Sequence, residues 1–338
     1  MAKRLISAAM LPMLMLCMMV KNAFPQENVK LAQTGMQFLS VVSDARAASL
    51  ARATTTVPMG SGSLFSNPAL LSDIAGWADV SASYNQWIAE IKHQTFSAAF
   101  KPFGDEYGIF GVSLQFIDYG DFYWTRVSNT ASGFEDIPSG DMNKPSAFAV
   151  GVGYGKAISD AFSVGGQIRY VRQSLGTSFV PGDVAGQSVK KEYKLSVLAF
   201  DFGTNFKTGF KSLAFGMSVR NFSKEVRYES DQFQLPLVFT LGLSMETLDF
   251  FEKSSTLNSV LVSVDASHYR DHAEQVYAGI ECRLMEALSL RAGYASSADE
   301  EGLTYGLGVQ QYGVQVDYAY TPFGVFDNVQ RVTVRFSF

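Results

Sequence analysis

Val329-Gln330-Arg331-Val332-Thr333-Val334-Arg335-Phe336-Ser337-Phe338 closes this chain of 338 residues. Val332, Val334, Phe336 and Phe338 share one parity, and Arg331, Thr333, Arg335 and Ser337 share the other. Successive side chains of a strand point to opposite faces, so the stretch reads as a strand with one greasy and one polar face. The pattern recurs upstream. Val314, Val316, Tyr318 and Tyr320 alternate with Gln315, Asp317 and Ala319. Leu303, Tyr305, Leu307 and Val309 alternate with Thr304, Gly306, Gly308 and Gln310. Val260, Val262, Val264 and Ala266 alternate with Leu261, Ser263, Asp265 and Ser267, and Leu213, Phe215, Met217 and Val219 with Ala214, Gly216, Ser218 and Arg220.

About fourteen such segments can be traced, near 77–91, 93–103, 107–119, 145–156, 161–175, 191–206, 211–222, 233–246, 257–270, 273–284, 287–297, 301–310, 312–321 and 329–338. The chain is 17% charged, 13% aromatic and holds 29 glycines. Soluble domains average about 25% charged residues, so much of this surface avoids water. Mean hydropathy is only +0.06, too low for a helical membrane protein. A closed barrel is the other way to cross a bilayer, because it pairs every backbone group without water. The expected fold is therefore all-β, an outer-membrane transmembrane barrel of about fourteen antiparallel strands in contact with membrane lipid.

Lys3 and Arg4 followed by apolar Leu5–Val20, broken at Pro12, read as a signal peptide over residues 1–26. Residues 27–76 do not alternate. The alanines 45, 47, 48 and 51 suit a short, closely packed helix, and Asn67-Pro68-Ala69 suits the start of a second helical turn. This segment reads as an N-terminal plug, and 77–338 as the barrel. The long gaps 120–144, 176–190, 223–232 and 322–328 all follow odd segments. Short turns follow most even ones, which places both termini on the periplasmic side. The gap 247–256 breaks that parity.

Without the signal the chain carries 24 basic and 32 acidic residues, a net charge of −8, which argues against a nucleic-acid partner. Cys282 is then the sole cysteine, which excludes an internal disulfide. Its parity matches Ala278, Ile280 and Leu284, on the lipid side. No catalytic set emerges, and no cofactor or metal is expected. His268 and His272 are four apart but flank a turn and lack a zinc motif. Gly151-Val152-Gly153-Tyr154-Gly155 mimics a phosphate loop, yet no helix follows it, and small residues facing a crowded interior explain it better. Asp299-Glu300-Glu301-Gly302 lacks the ligand alternation of a calcium loop. The inward parity also carries Arg169, Arg220, Asp265, Glu281, Arg283, Arg291, Asp317, Arg331 and Arg335. An internal ion-pair network holding the plug is favoured over a charged transport path, because buried charge is costly unless paired.

Gly35-Met36-Gln37-Phe38-Leu39, then Asp44-Ala45-Arg46-Ala47-Ala48, then Asn67-Pro68-Ala69 resemble the opening of the PorV/PorQ family of outer-membrane proteins. Leu235-Pro236 ahead of Leu241-Gly242-Leu243-Ser244, Leu290-Arg291-Ala292-Gly293-Tyr294, and Asp317-Tyr318-Ala319-Tyr320-Thr321-Pro322-Phe323-Gly324 are similar too. The resemblance implies a FadL-like barrel with a plug that uses Gly35, Phe38, Arg46, Asn67 and Pro68. It implies a non-enzymatic role in type IX secretion, with secretion-system proteins and secreted cargo as partners. Arg52 and Ala53 depart from it, standing where relatives commonly carry glycines. The terminal Phe338 matches the assembly signal of outer-membrane proteins. Phe122, Tyr123, Trp124 and Phe134 in the longest loop suit protein contact. The same aromatics suit the entry of a FadL-like channel for hydrophobic small molecules, which is the alternative function.

Overall fold

A computed structural model describes residues 34–122, 124–127, 132–137, 144–181, 188–251, 256–296 and 302–338. The signal-peptide reading, Tyr123 and Asp299 to Glu301 lie outside them. Eighteen strands follow in order: β1 (Ala78–Gln86), β2 (Lys92–Phe100), β3 (Ile109–Asp118), β4 (Trp124–Val127), β5 (Phe134–Ile137), β6 (Ser146–Ala157), β7 (Phe162–Pro181), β8 (Ser188–Lys207) and β9 (Ala214–Ser223). Then come β10 (Val226–Arg227), β11 (Gln232–Phe233), β12 (Val238–Glu246), β13 (Leu257–Tyr269), β14 (Gln275–Leu284), β15 (Leu288–Ala295), β16 (Leu303–Gln311), β17 (Val314–Phe323) and β18 (Phe326–Ser337).

Fourteen of these form a closed antiparallel barrel, sealed where β1 meets β18. β4 pairs only with β5, and β10 only with β11, so these are small hairpins in the connections. Each barrel strand overlaps one segment read from the alternation. The gap at 176–190 is a correction. It belongs largely to β7 and β8, twenty residues each, whose outer parts pair only with each other. The gap at 247–256 is a truly long turn, opened by the 3₁₀ helix Thr247–Phe250. No helix among the described residues is long and apolar enough to cross a membrane.

Parity decides which face each side chain takes. Val332 is 42% exposed on the outside, while its neighbour Thr333 is 2% exposed inside. Ile168, Leu241, Leu307 and Val316 likewise lie outside, forming an apolar band. Aromatics flank the band at both ends: Trp77, Phe103 and Phe338 near the chain ends, and Tyr84, Phe116 and Phe222 at the opposite end, called here the loop end. Aromatic girdles of this kind mark the two edges of a bilayer on outer-membrane barrels. β9 breaks parity once. Asn221 adopts φ 63°, the β8–β9 register slips, and both Arg220 and Asn221 face inward.

Candidate functional site

The barrel interior is filled by its own N-terminal segment. Thr34 bridges Gln234 at the loop end, and the chain then descends to Gly76, which packs against Phe338 at the other end. Met36, Phe38 and Leu39 bury themselves against Ile117, Ala147, Val171, Val197 and Leu235, just inside the loop-end mouth. Gly35 sits edge-on to Phe233, leaving no room for a Cβ. A single helical turn, α1 (Ala45–Ser49), follows, and Asp44 caps it by accepting the Ala47 N–H at 2.8 Å. Ala45 and Ala48 touch Ala319 of the wall, so small residues on both sides allow close approach.

Arg46 is the ionic centre of this region. Its Nε and Nη2 donate to the two Glu281 oxygens at 2.8 and 2.9 Å, and its Nη1 donates to Pro58 O at 2.8 Å. Arg291 Nε reaches the same carboxylate at 2.5 Å, and Arg291 Nη1 reaches Asp317 at 2.7 Å. Gln315 donates to Asp317 at 2.7 Å and accepts from Arg335. Glu281 is 1% exposed, so the ladder is essentially dry. In such surroundings a bidentate guanidinium–carboxylate pair is strong and geometrically demanding.

Two further carboxylates order the interior. Asp265 accepts from Thr54 N, Thr55 N and Thr55 Oγ1 at 2.8–2.9 Å, gripping the plug backbone. Asp201 pairs with Arg169 at 2.7 Å and accepts from Asn221 N at 2.7 Å, which fixes the bulge in β9. Lower down, Asn67 Nδ2 donates to Thr55 O at 2.7 Å and Thr204 O at 3.0 Å. Its Oδ1 caps the 3₁₀ turn Pro68–Asp73 through Ala69 N. Gly203 faces Asn67 and Gly165 faces Pro68, so closely that a Cβ at either would overlap the plug. Beside the plug lies a cavity of about 80 Å³ lined by Arg169, Arg220, Asp265 and Tyr277 among others.

Phe122 and Trp124 lie together with ring centroids 6.3 Å apart. Phe134 pairs opposite Val127, at the far end of the β4–β5 hairpin from Trp124. Phe122 and Phe134 are both exposed. Phe338 is exposed on the outer wall beside Trp77, ring centroids 6.4 Å apart. His268 and His272 contact Glu274 and Asp271 at 2.9 and 2.8 Å. Sequence reasoning missed Asp201 and Asp79. Asp201 had a visible signal, a lone carboxylate in Phe200-Asp201-Phe202. Asp79 ties Ser61 N to Ser337 Oγ at 2.7 and 2.6 Å, a link that the sequence does not disclose.

No curated protein matches the chain. Among solved structures it is similar to CymD, a monoaromatic hydrocarbon channel, with TM-score 0.59 and 12% identity over 89% of this chain and 98% of that one. The Ralstonia pickettii toluene transporter TbuX gives 0.55 and 12% over 92% and 99%. A Pseudomonas aeruginosa FadL homologue gives 0.55 and 11% over 88% and 98%. At such identities the likeness concerns the fold alone. The family model of the type IX secretion system protein PorV matches residues 24–268, which take in the plug elements from Gly35 to Ala69 and end before the Leu290 and Asp317 stretches. With the greater part of its length inside that match, the chain belongs to the PorV family.

Proposed function

We propose that this barrel serves type IX protein secretion in the outer membrane by holding partner or cargo proteins at its loop end, which faces outward. The observation that carries the reading is the filled lumen. A dry apolar cavity of about 150 Å³ can hold benzene, whereas the cavity beside the plug has about 80 Å³ and is lined by mixed side chains that include Arg169, Asp201, Arg220 and Asp265. Passage of a hydrophobic solute would require the Arg46 ladder to open. The loop end needs no such change. Phe122, Trp124 and Phe134 stand there in a polar rim with Asp121 and Lys144, an arrangement that suits protein contact. The FadL-like channel reading draws on the shared fold and requires that the plug move.

The test replaces Phe122, Tyr123 and Trp124 together by serine. Barrel assembly is checked first, by the mobility difference between boiled and unboiled samples. Loss of surface-attached secreted proteins with fatty-acid uptake unchanged supports the secretion role. Loss of uptake alone transfers the function to the channel reading.

A further inference from the structure

The outer wall of β7, β8 and β9 carries a groove of about 360 Å³ lined by Tyr170, Ser196, Leu198, Phe200 and Lys224. It lies beside the bulge at Asn221, beyond which β9 follows β8 only through Phe222 and Ser223, so residues 188–198 of β8 pair with β7 alone. Register places Arg172 directly opposite Ser196, on the same outer parity. Lys194 follows two residues from Ser196 on that face, and Lys224 lines the groove from the other side. Arg172 and Lys194 are thus register neighbours of Ser196, Lys224 shares its groove, and Tyr170 Oη donates to Ser196 Oγ at 2.8 Å. Glu192 offsets one of them, pairing with Lys194 at 2.8 Å. Below the cations the surface turns apolar, through Leu198 to Ile168 and Phe202, all exposed.

A polar, basic head above a greasy trough, at the edge of the apolar band, matches an amphiphile with anionic head and acyl tail. We infer that this groove binds a phosphorylated glycolipid of the outer leaflet, with phosphate between Arg172 and Lys224 and an acyl chain along Leu198, Phe200 and Phe202. The choice of leaflet rests on the outward-facing loop end proposed above. The choice of phosphate rests on the cations themselves. Guanidinium and ammonium groups are the usual partners of phosphate, and an aliphatic or aromatic trough excludes a free inorganic ion from most of the groove.

The experiment uses the full chain in detergent micelles, titrated with lipid A and followed by native mass spectrometry. Arg172→Ser with Lys224→Ser should lower lipid A occupancy about 30-fold, since each cation near such a surface contributes roughly one factor of five to six. Dephosphorylated lipid A should bind the unaltered protein as weakly as phosphorylated lipid A binds the double variant. A separate variant, Leu198→Asp, should weaken lipid A while leaving heat-modifiability intact. Equal occupancy in the double variant and the unaltered protein overturns the site. Equal affinity for phosphatidylglycerol overturns the commitment to the glycolipid, and competition by inorganic phosphate overturns the lipid reading. Neither variant touches Phe122, Trp124 or the plug, so secretion measured in the same strains reports separately on the proposed function.

Discussion

The plug is held at two places by opposite physics. Near the middle of the lumen, Arg46 is locked to Glu281 and Arg291 in a dry ladder with 1% exposure at the carboxylate. At the loop end, Thr34 and Gln37 donate to Asp271 at 2.5 and 2.7 Å beside half-exposed His272. The first anchor is desolvated, so salt screens it little, and removing one partner strands the others as buried charge. In the second only the partners Gln37 and His272 reach water, while the carboxylate itself is buried and held below its ordinary value. The hydrogen bond from His272 is the largest lowering influence, and those from Thr34 and Gln37 add to it. One anchor fixes the segment permanently, and the other answers to solution conditions.

The sharpest test of that contrast is Glu281→Gln. It leaves Arg46 and Arg291 without their shared anion and should cost about 3–5 kcal/mol, read as a lower cold-to-boiled transition temperature on gels. A loss below about 1 kcal/mol would show that water reaches the ladder and that the contrast is false. Asn67→Ala comes next. It removes two donors to carbonyls and a cap, and should cost about 2–3 kcal/mol. Gly203→Ala should act at the same contact from the wall side, and full stability in that variant would mean the plug does not press on β8.

Acid should act at the loop end. A carboxylate lowered in the folded state contributes stability that is present above its unfolded value, here 3.8, and is lost as pH falls below it. Protection from hydrogen exchange at Thr34 to Gln37, relative to the intrinsic rate at each pH, should therefore fall below about pH 4. Asp271→Asn should show the lowered protection already at neutral pH. Unchanged protection on acidification removes Asp271 from the anchor. The smallest effect is expected at Ala51, whose φ of 49° precedes Arg52 at 70°. Both adopt the left-handed backbone, and Arg52 is one of the two positions at which the family resemblance implies glycine. Ala51→Gly should stabilise by about 0.5 kcal/mol, the strain relieved less the entropy glycine adds to the unfolded chain.

The wall was legible and the contents of the lumen were not, for a physical reason. A residue between lipid and a packed interior must alternate, so every barrel strand left its mark in the sequence. Beyond the membrane that demand ends. Residues 176–181 and 188–190 continue β7 and β8 without a lipid-facing parity to betray them. The inward charges could likewise be named by parity, but not paired. Arg46 meets Glu281 across 235 positions, and only the closure of the barrel decides which of the inward carboxylates it reaches. Asn221 hid for a third reason. A bulge shifts parity by one residue, and a short polar side chain that tolerates positive φ is its faint trace.

One consequence follows from the direction in which the plug runs. Its tether to β1 lies at Gly76 and Trp77, by Phe338, while Thr34 lies at the opposite mouth. β1 is also half of the seam with β18, Asp79 facing Ser337. The segment is thus a thread laid lengthwise through a ring whose clasp adjoins its own anchored end. Seating the thread and shutting the ring therefore concern the same end of the barrel. Because its tether lies at the chain-end mouth, the direct way out is back toward that tether. A factor that empties this lumen by that way pulls from the side of the membrane on which the chain begins its first strand.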